Sequence, residues 1–142
     1  VNSAFWDSSA LIPLFITESK TMSARSLAAG NQQAVWWGTR VEIRSAIARQ
    51  YRSGMLDSGN RAIAINRLSL LVKTWREIIP DHGVRELAAD LLDRYSLRAA
   101  DSMQLAAALI WCSQKPAGRT FICSDLKLAE AAETAGFTTI RP

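Results

Sequence analysis

Four acidic residues, Asp7, Glu42, Asp101 and Asp125, stand close to points where an apolar run gives way to a helix. Carboxylates gathered in one cleft repel by about 4 kcal/mol per pair at roughly 4 Å when the effective dielectric is near 20, so such a cluster needs cations. Hard oxygen donors select Mg²⁺ or Mn²⁺ over softer metals, and Mg²⁺ takes few protein ligands while keeping water and substrate phosphate around it. The rest of the chain closes off other chemistries. His82 is the only histidine, which excludes paired imidazoles working as acid and base and a zinc site built from several imidazoles. Cys112 and Cys123 lie in apolar stretches with no CxxC spacing and read as reduced core residues. Catalysis must rest on carboxylates, hydroxyls or a hard metal.

Whether the four acids meet depends on the elements that carry them. Ala4-Phe5-Trp6 reads as a strand ending at Asp7, followed by a helix through Ala10-Leu11-Ile12-Pro13-Leu14-Phe15. A second apolar run, Ala34 to Trp37, leads through Gly38 into a helix from about Thr39 to Arg52, closed by Gly54, and another helix covers about Ser58 to Lys73. Trp75 to Ile79 reads as a third strand stopped by Pro80, and the helix after it carries Val84, Leu87, Ala88, Leu91 and Leu92 on one stripe. Asp101 heads a helix running to about Cys112; then come a strand from Thr120 to Cys123, a helix from Leu126 to Ala135 ended by Gly136, and a strand from Thr138 to Ile140.

Strands alternating with helices imply a mostly parallel sheet covered on both faces, because parallel neighbours need crossovers. In open sheets of this kind ligands bind beyond the carboxyl ends of the strands, where helix N-termini gather. All four acids fall on that rim. Each also has a local reading: Thr39-Arg40-Val41-Glu42 fits a capping box, Asp101 with Gln104 fits an N-cap pair, and Asp125 suits a helix dipole. For Asp7 capping is the weaker reading, since Ser8 or Ser9 can fill that role. Capping acids point anywhere, so convergence of the four separates the readings.

The 142 residues, about half of them apolar, suit one domain spanning 1–142 with a single well-buried core. The start VNSAFWD lacks the pattern of a signal peptide and the apolar runs are too short to cross a bilayer, so a soluble cytoplasmic protein is expected. A formal charge of +4, carried mostly by arginine, points weakly to polyanions.

Taken together, Phe5-Trp6-Asp7-Ser8-Ser9-Ala10-Leu11, Thr39-Arg40-Val41-Glu42-Ile43, Leu97 to Ala106 around Asp101, and Phe121-Ile122-Cys123-Ser124-Asp125 leading to Leu128–Phe137 resemble the four blocks of the PIN-domain nucleases, in order and over the whole chain. The likeness is to the VapC-type toxins of toxin–antitoxin operons. It implies a three-layer α/β/α sandwich with strand order 3-2-1-4-5, and Asp7, Glu42 and Asp101 as core acids for one or two Mg²⁺ or Mn²⁺ ions, with Asp125 as the more variable fourth. It also implies an endoribonuclease leaving 5′-phosphate and 3′-hydroxyl ends, a cognate VapB-type antitoxin lying over the site, and a homodimer. Met103-Gln104 departs from the family's usual Leu-His, and Cys123 stands where Thr is common; neither change removes a ligand.

Around the acids, Arg40, Arg44 and Arg98 are candidates for guiding phosphate, and Ser8, Ser9, Thr39 and Ser124 for orienting acids or waters, with solvent exposure and capping as the plainer roles. Trp6, Trp36 and Trp37 read as buried strand residues, and Trp75 and Trp111 as packing. A phosphoacceptor receiver domain fits poorly, since it needs an acidic pair after the first strand. The intact acids argue against an inactive RNA-binding module. A nuclease for structured DNA would use the same acids, and only a comparison of substrates tells it from a ribonuclease.

Overall fold

In the computed structural model, which describes residues 2–142, the strands have the alternation that a covered sheet requires. In β1 (Asn2–Trp6), Ala4 and Trp6 pack into one apolar cluster while Phe5 packs into another on the opposite face. β2 (Asn31–Trp36) and β4 (Thr120–Ile122) split their side chains likewise, Val35 and Ile122 joining Trp6 while Trp36 and Phe121 join Phe5. With β3 (Arg76–Ile78) and β5 (Thr138–Ile140) they form a five-stranded sheet of order β3-β2-β1-β4-β5, every pair parallel. This is the α/β architecture and strand order expected.

One face is covered by α1 (Ser8–Leu11), α2 (Thr21–Ala29), α3 (Thr39–Arg52) and α4 (Ser58–Leu71). The other carries α5 (His82–Arg94), α6 (Ala99–Trp111) and α7 (Leu126–Ala135). Several boundaries follow from local chemistry. Asp57, Asp81 and Asp125 cap α4, α5 and α7 by accepting from the backbone N–H groups of Asn60, Val84 and Leu128. Gly136 ends α7 at φ +118°, a left-handed conformation that suits glycine.

The structure departs from the sequence reading at particular elements. The first helix breaks after Leu11 into a 3-10 turn over Ile12–Leu14, because Pro13 has no N–H to continue the helical ladder. α2 has no apolar stripe to announce it: of its side chains only Thr21 and Ala24 are buried. The third strand is shorter than expected, since Trp75 precedes it and is held by donating its indole N–H to Gln33 Oε1 at 2.7 Å. Trp6, Trp36 and Trp111 are buried as expected, but Trp37 lies past the end of β2 and is 52% exposed. Leu92 leaves the buried stripe of α5 and is 44% exposed. No helix among the described residues is long and apolar enough to cross a membrane.

Candidate active site

Asp7 is the first residue beyond β1, fixed at the carboxyl edge of the sheet by its backbone N–H donating to Ile122 O at 3.0 Å. Its side chain is 3% exposed and itself caps α1, a role the sequence offered to Ser8 or Ser9. The carboxylate accepts from Ser9 N at 3.1 Å, from Ser9 Oγ at 2.5 Å and from the Cys123 thiol at 3.6 Å. Burial raises its pKa from 3.8 to about 6; the hydrogen bonds from Ser9 oppose the rise, and the charges of Glu42 and Asp101 add to it.

Glu42 is not a capping residue. The cap position of α3 is Gly38, with no side-chain hydrogen bond, and both carboxylate oxygens of Glu42 are held from other elements. Ser8 Oγ donates to Oε2 at 2.6 Å from α1, and Gln104 Nε2 donates to Oε1 at 3.2 Å from α6. The same Gln104 amide donates to Thr39 Oγ1 at 3.0 Å, so three helices are tied at one carboxylate. Gly38 permits this start of α3, because a Cβ there would stand 2.6 Å from the Trp36 indole nitrogen.

Asp101 lies in the first turn of α6, whose cap position is Arg98 without a side-chain hydrogen bond. Its pKa is raised by burial, then by the charges of Asp125 and Glu42, and is lowered by Arg98. Asp125 does cap a helix, accepting from Leu128 N at 3.0 Å. Its backbone N–H and that of Ser124 both point to Ser9 Oγ, at 3.3 and 2.9 Å, so Ser9 ties the end of β4 to Asp7.

The four acids from four separate elements therefore form one electrostatic group, Asp7 sensing Glu42 and Asp101, and Asp101 sensing Glu42 and Asp125. Among the described residues the single ion pair is Arg40–Glu77 at 3.7 Å, so no basic side chain neutralises the group at contact distance. Nor do any three Asp, Glu, His or Cys side chains form a ready-made metal cage among those residues. The donor chemistry fits a hard divalent cation even so, since Mg²⁺ needs only one or two carboxylates and fills its remaining positions with water and phosphate.

The arginines divide. Arg98 lines a cavity of about 780 Å³ together with Asp101 and Asp125. Arg40 and Arg44 each lie two residues from Glu42, about 200° around the helix, and so face away from the acids. Arg40 pairs with Glu77, and Arg44 borders a separate depression between α3 and α4. Of the hydroxyl candidates, Ser8 and Ser9 bond directly to acids, Thr39 accepts from Gln104, and Ser124 Oγ is buried without a partner. Gln104 and Cys123 are residues that sequence reasoning assigned no part in the site. For Gln104 the available signal was an amide at the head of the apolar run Leu105–Leu109, three residues after Asp101 and hence on the same helical face.

No family model matches the chain, and no curated protein matches it in sequence. In three dimensions it is similar to FitAcB from Neisseria gonorrhoeae, with a TM-score of 0.69 and 15% identity over 95% of this chain and 96% of that one. It is similar to a toxin–antitoxin complex from Klebsiella pneumoniae, with a TM-score of 0.63 and 20% identity over 88% of each chain. VapBC2 from Rickettsia felis, solved bound to a DNA fragment from its promoter, gives a TM-score of 0.63 and 10% identity over 97% of both chains. At these identities the likeness establishes the fold, which is the one the sequence blocks implied.

Proposed function

We propose that this chain is a metal-dependent endoribonuclease and the toxin of a toxin–antitoxin pair, with Asp7, Glu42 and Asp101 holding the cation and Asp125 beside them. The observation that carries the reading is the acid group itself: four carboxylates from distant parts of the chain share one rim, their charges raise the pKa of Asp7 and Asp101, and no cationic side chain is in ion-pair contact with them. A protein tolerates that arrangement where a hard cation completes it. The fold shared with solved toxin–antitoxin proteins supports the biological role.

A bound Mg²⁺ or Mn²⁺ supplies Lewis acidity and a water of lowered pKa next to a phosphodiester. The chain's own residues do the positioning. Ser8 and Gln104 fix the two oxygens of Glu42, Ser9 and Cys123 hold Asp7, and Arg98 offers a forked donor to phosphate at the mouth of the cavity. The buried Cys123 thiol has its pKa pushed far up by burial and by the neighbouring Asp7, so it acts as a neutral donor. An antitoxin segment over this rim and a homodimer belong to the same reading.

The test is cleavage of single-stranded RNA by the purified chain with Mn²⁺ or Mg²⁺, against EDTA and against Asp7→Asn. Activity is expected only with metal and intact Asp7, with 5′-phosphate ends and growth arrest that the variant relieves. An Asp7→Asn protein that still cuts RNA overturns the assignment.

A further inference from the structure

The cavity beside Asp101 and Asp125 does not stop at the acids. It abuts a second cavity of about 320 Å³, and the two share Tyr95, Ser96, Leu97 and Lys127 as walls. The floor is the turn between α5 and α6, and the opposite wall is the start of α7. Along this path stand three cations in sequence: Arg98 nearest the acids, Lys127 common to both cavities, and Arg94 at the far end. None is in an ion pair among the described residues, although Glu130 also borders the far cavity.

The lining is mixed, with polar groups and a few exposed apolar side chains beside the cations. Leu92 and Leu126 border the first cavity while 44% and 55% exposed, and Tyr95, half-buried against the core, lines both cavities. Free cations spaced along a groove suit phosphates, whereas exposed leucines and an aromatic ring suit the faces of unstacked bases. In an RNA duplex those faces are stacked and hidden, which makes a single strand the fitting occupant.

On the nuclease reading proposed above, we infer that this groove is an extended binding site for the single-stranded RNA flanking the scissile bond, with Lys127, Arg94 and Tyr95 as its determinants. Substrate grip is thereby separated from the acid group. Bound RNA runs from Arg98 past Lys127 toward Arg94 along the α5–α7 side of the molecule, and not over α3, where Arg40 and Arg44 lie.

The experiment uses the full chain with Lys127→Ala, Arg94→Ala and Tyr95→Ala, and Arg67→Ala on α4 as a charge control. Single-stranded RNA binding is measured in EDTA by fluorescence anisotropy across a salt series, and cleavage with Mn²⁺ gives kcat and KM. Each groove variant is expected to weaken binding and raise KM roughly ten-fold with little change in kcat, and each lost cation to lower the salt slope by about 0.7 to 1. The penalty shrinks on an oligonucleotide too short to pass Lys127. If the wild type binds and cuts RNA while the groove variants match Arg67→Ala, the groove is wrong and the nuclease reading stands. Duplex RNA binding as tightly as the single strand also overturns the groove. A wild type that neither binds nor cuts RNA overturns both.

Discussion

The Gln104 side chain links a stability question to a catalytic one. Its amide N–H₂ group serves Glu42 and Thr39, while its Oε1 is buried with no partner. Gln104→Leu removes that unsatisfied oxygen and also the donor that orients Glu42. Cleavage is expected to fall about 10- to 100-fold, as when an orienting group behind a ligand is lost. The urea midpoint is expected to hold or rise; a large fall in midpoint would show that the amide is mainly structural. Asp7 gives a pH-dependent counterpart. Its folded pKa, about 6, exceeds the unfolded 3.8, so between these values the folded chain keeps a proton that the unfolded chain releases. Stability contributed at this site is therefore greatest below pH 3.8 and is lost as pH rises to about 6, amounting to about 3 kcal/mol at 1.36 kcal/mol per unit. In EDTA, Asp7→Asn is expected to be more stable than the wild type at pH 7, with the gap closing near pH 4; urea melts at the two pH values measure it. Asp7 and Glu42 were visible in the sequence because each sits next to a strand end or helix start. Of their partners, Ser8 and Ser9 were among the candidates, whereas Cys123 and Gln104 were not, since they reach Asp7 and Glu42 only once β4 lies beside β1 and α6 packs near α3.

Among the elements, α3 matters most, because it delivers Glu42. Its limits, Thr39 to Arg52, are legible from the sequence, as are those of α7, where apolar spacing and a terminal glycine agree. α2 was illegible for the opposite reason: a helix burying only two side chains leaves no periodic trace. The capping-box reading of Thr39 to Glu42 failed because the helix begins one step off it, with Gly38 in the cap position against the Trp36 ring. Gly38→Ala would force the indole or the helix start to move, at a cost of about 1–3 kcal/mol by analogy with other overpacked sites. The thermal midpoint is expected to drop and cleavage to weaken with it, while Gly54→Ala, in open space though at φ +79°, tests backbone strain without that clash. A Gly38→Ala protein as active and stable as the wild type would mean that the indole is free to swing.

At the scale of the whole molecule, the parallel α/β class was legible from alternation, whereas the strand order came from resemblance to a family and not from periodicity. Both cysteines are buried and free, and burial raises the pKa of each thiol. Neither is expected to react with a thiol reagent such as DTNB in the folded protein, and both should react once urea unfolds it; rapid labelling in buffer would contradict this packing. β1 ties the two halves together. Each of its last three side chains is fully enclosed, Ala4 and Trp6 by the helices of one face and Phe5 by those of the other. The first catalytic candidate is the very next residue. Asp7 thus stands like the tip of a beam clamped from above and below: damage to either helical layer, however remote, is transmitted to one oxygen pair. Thermal loosening is accordingly expected to blunt the chemistry before the molecule comes apart.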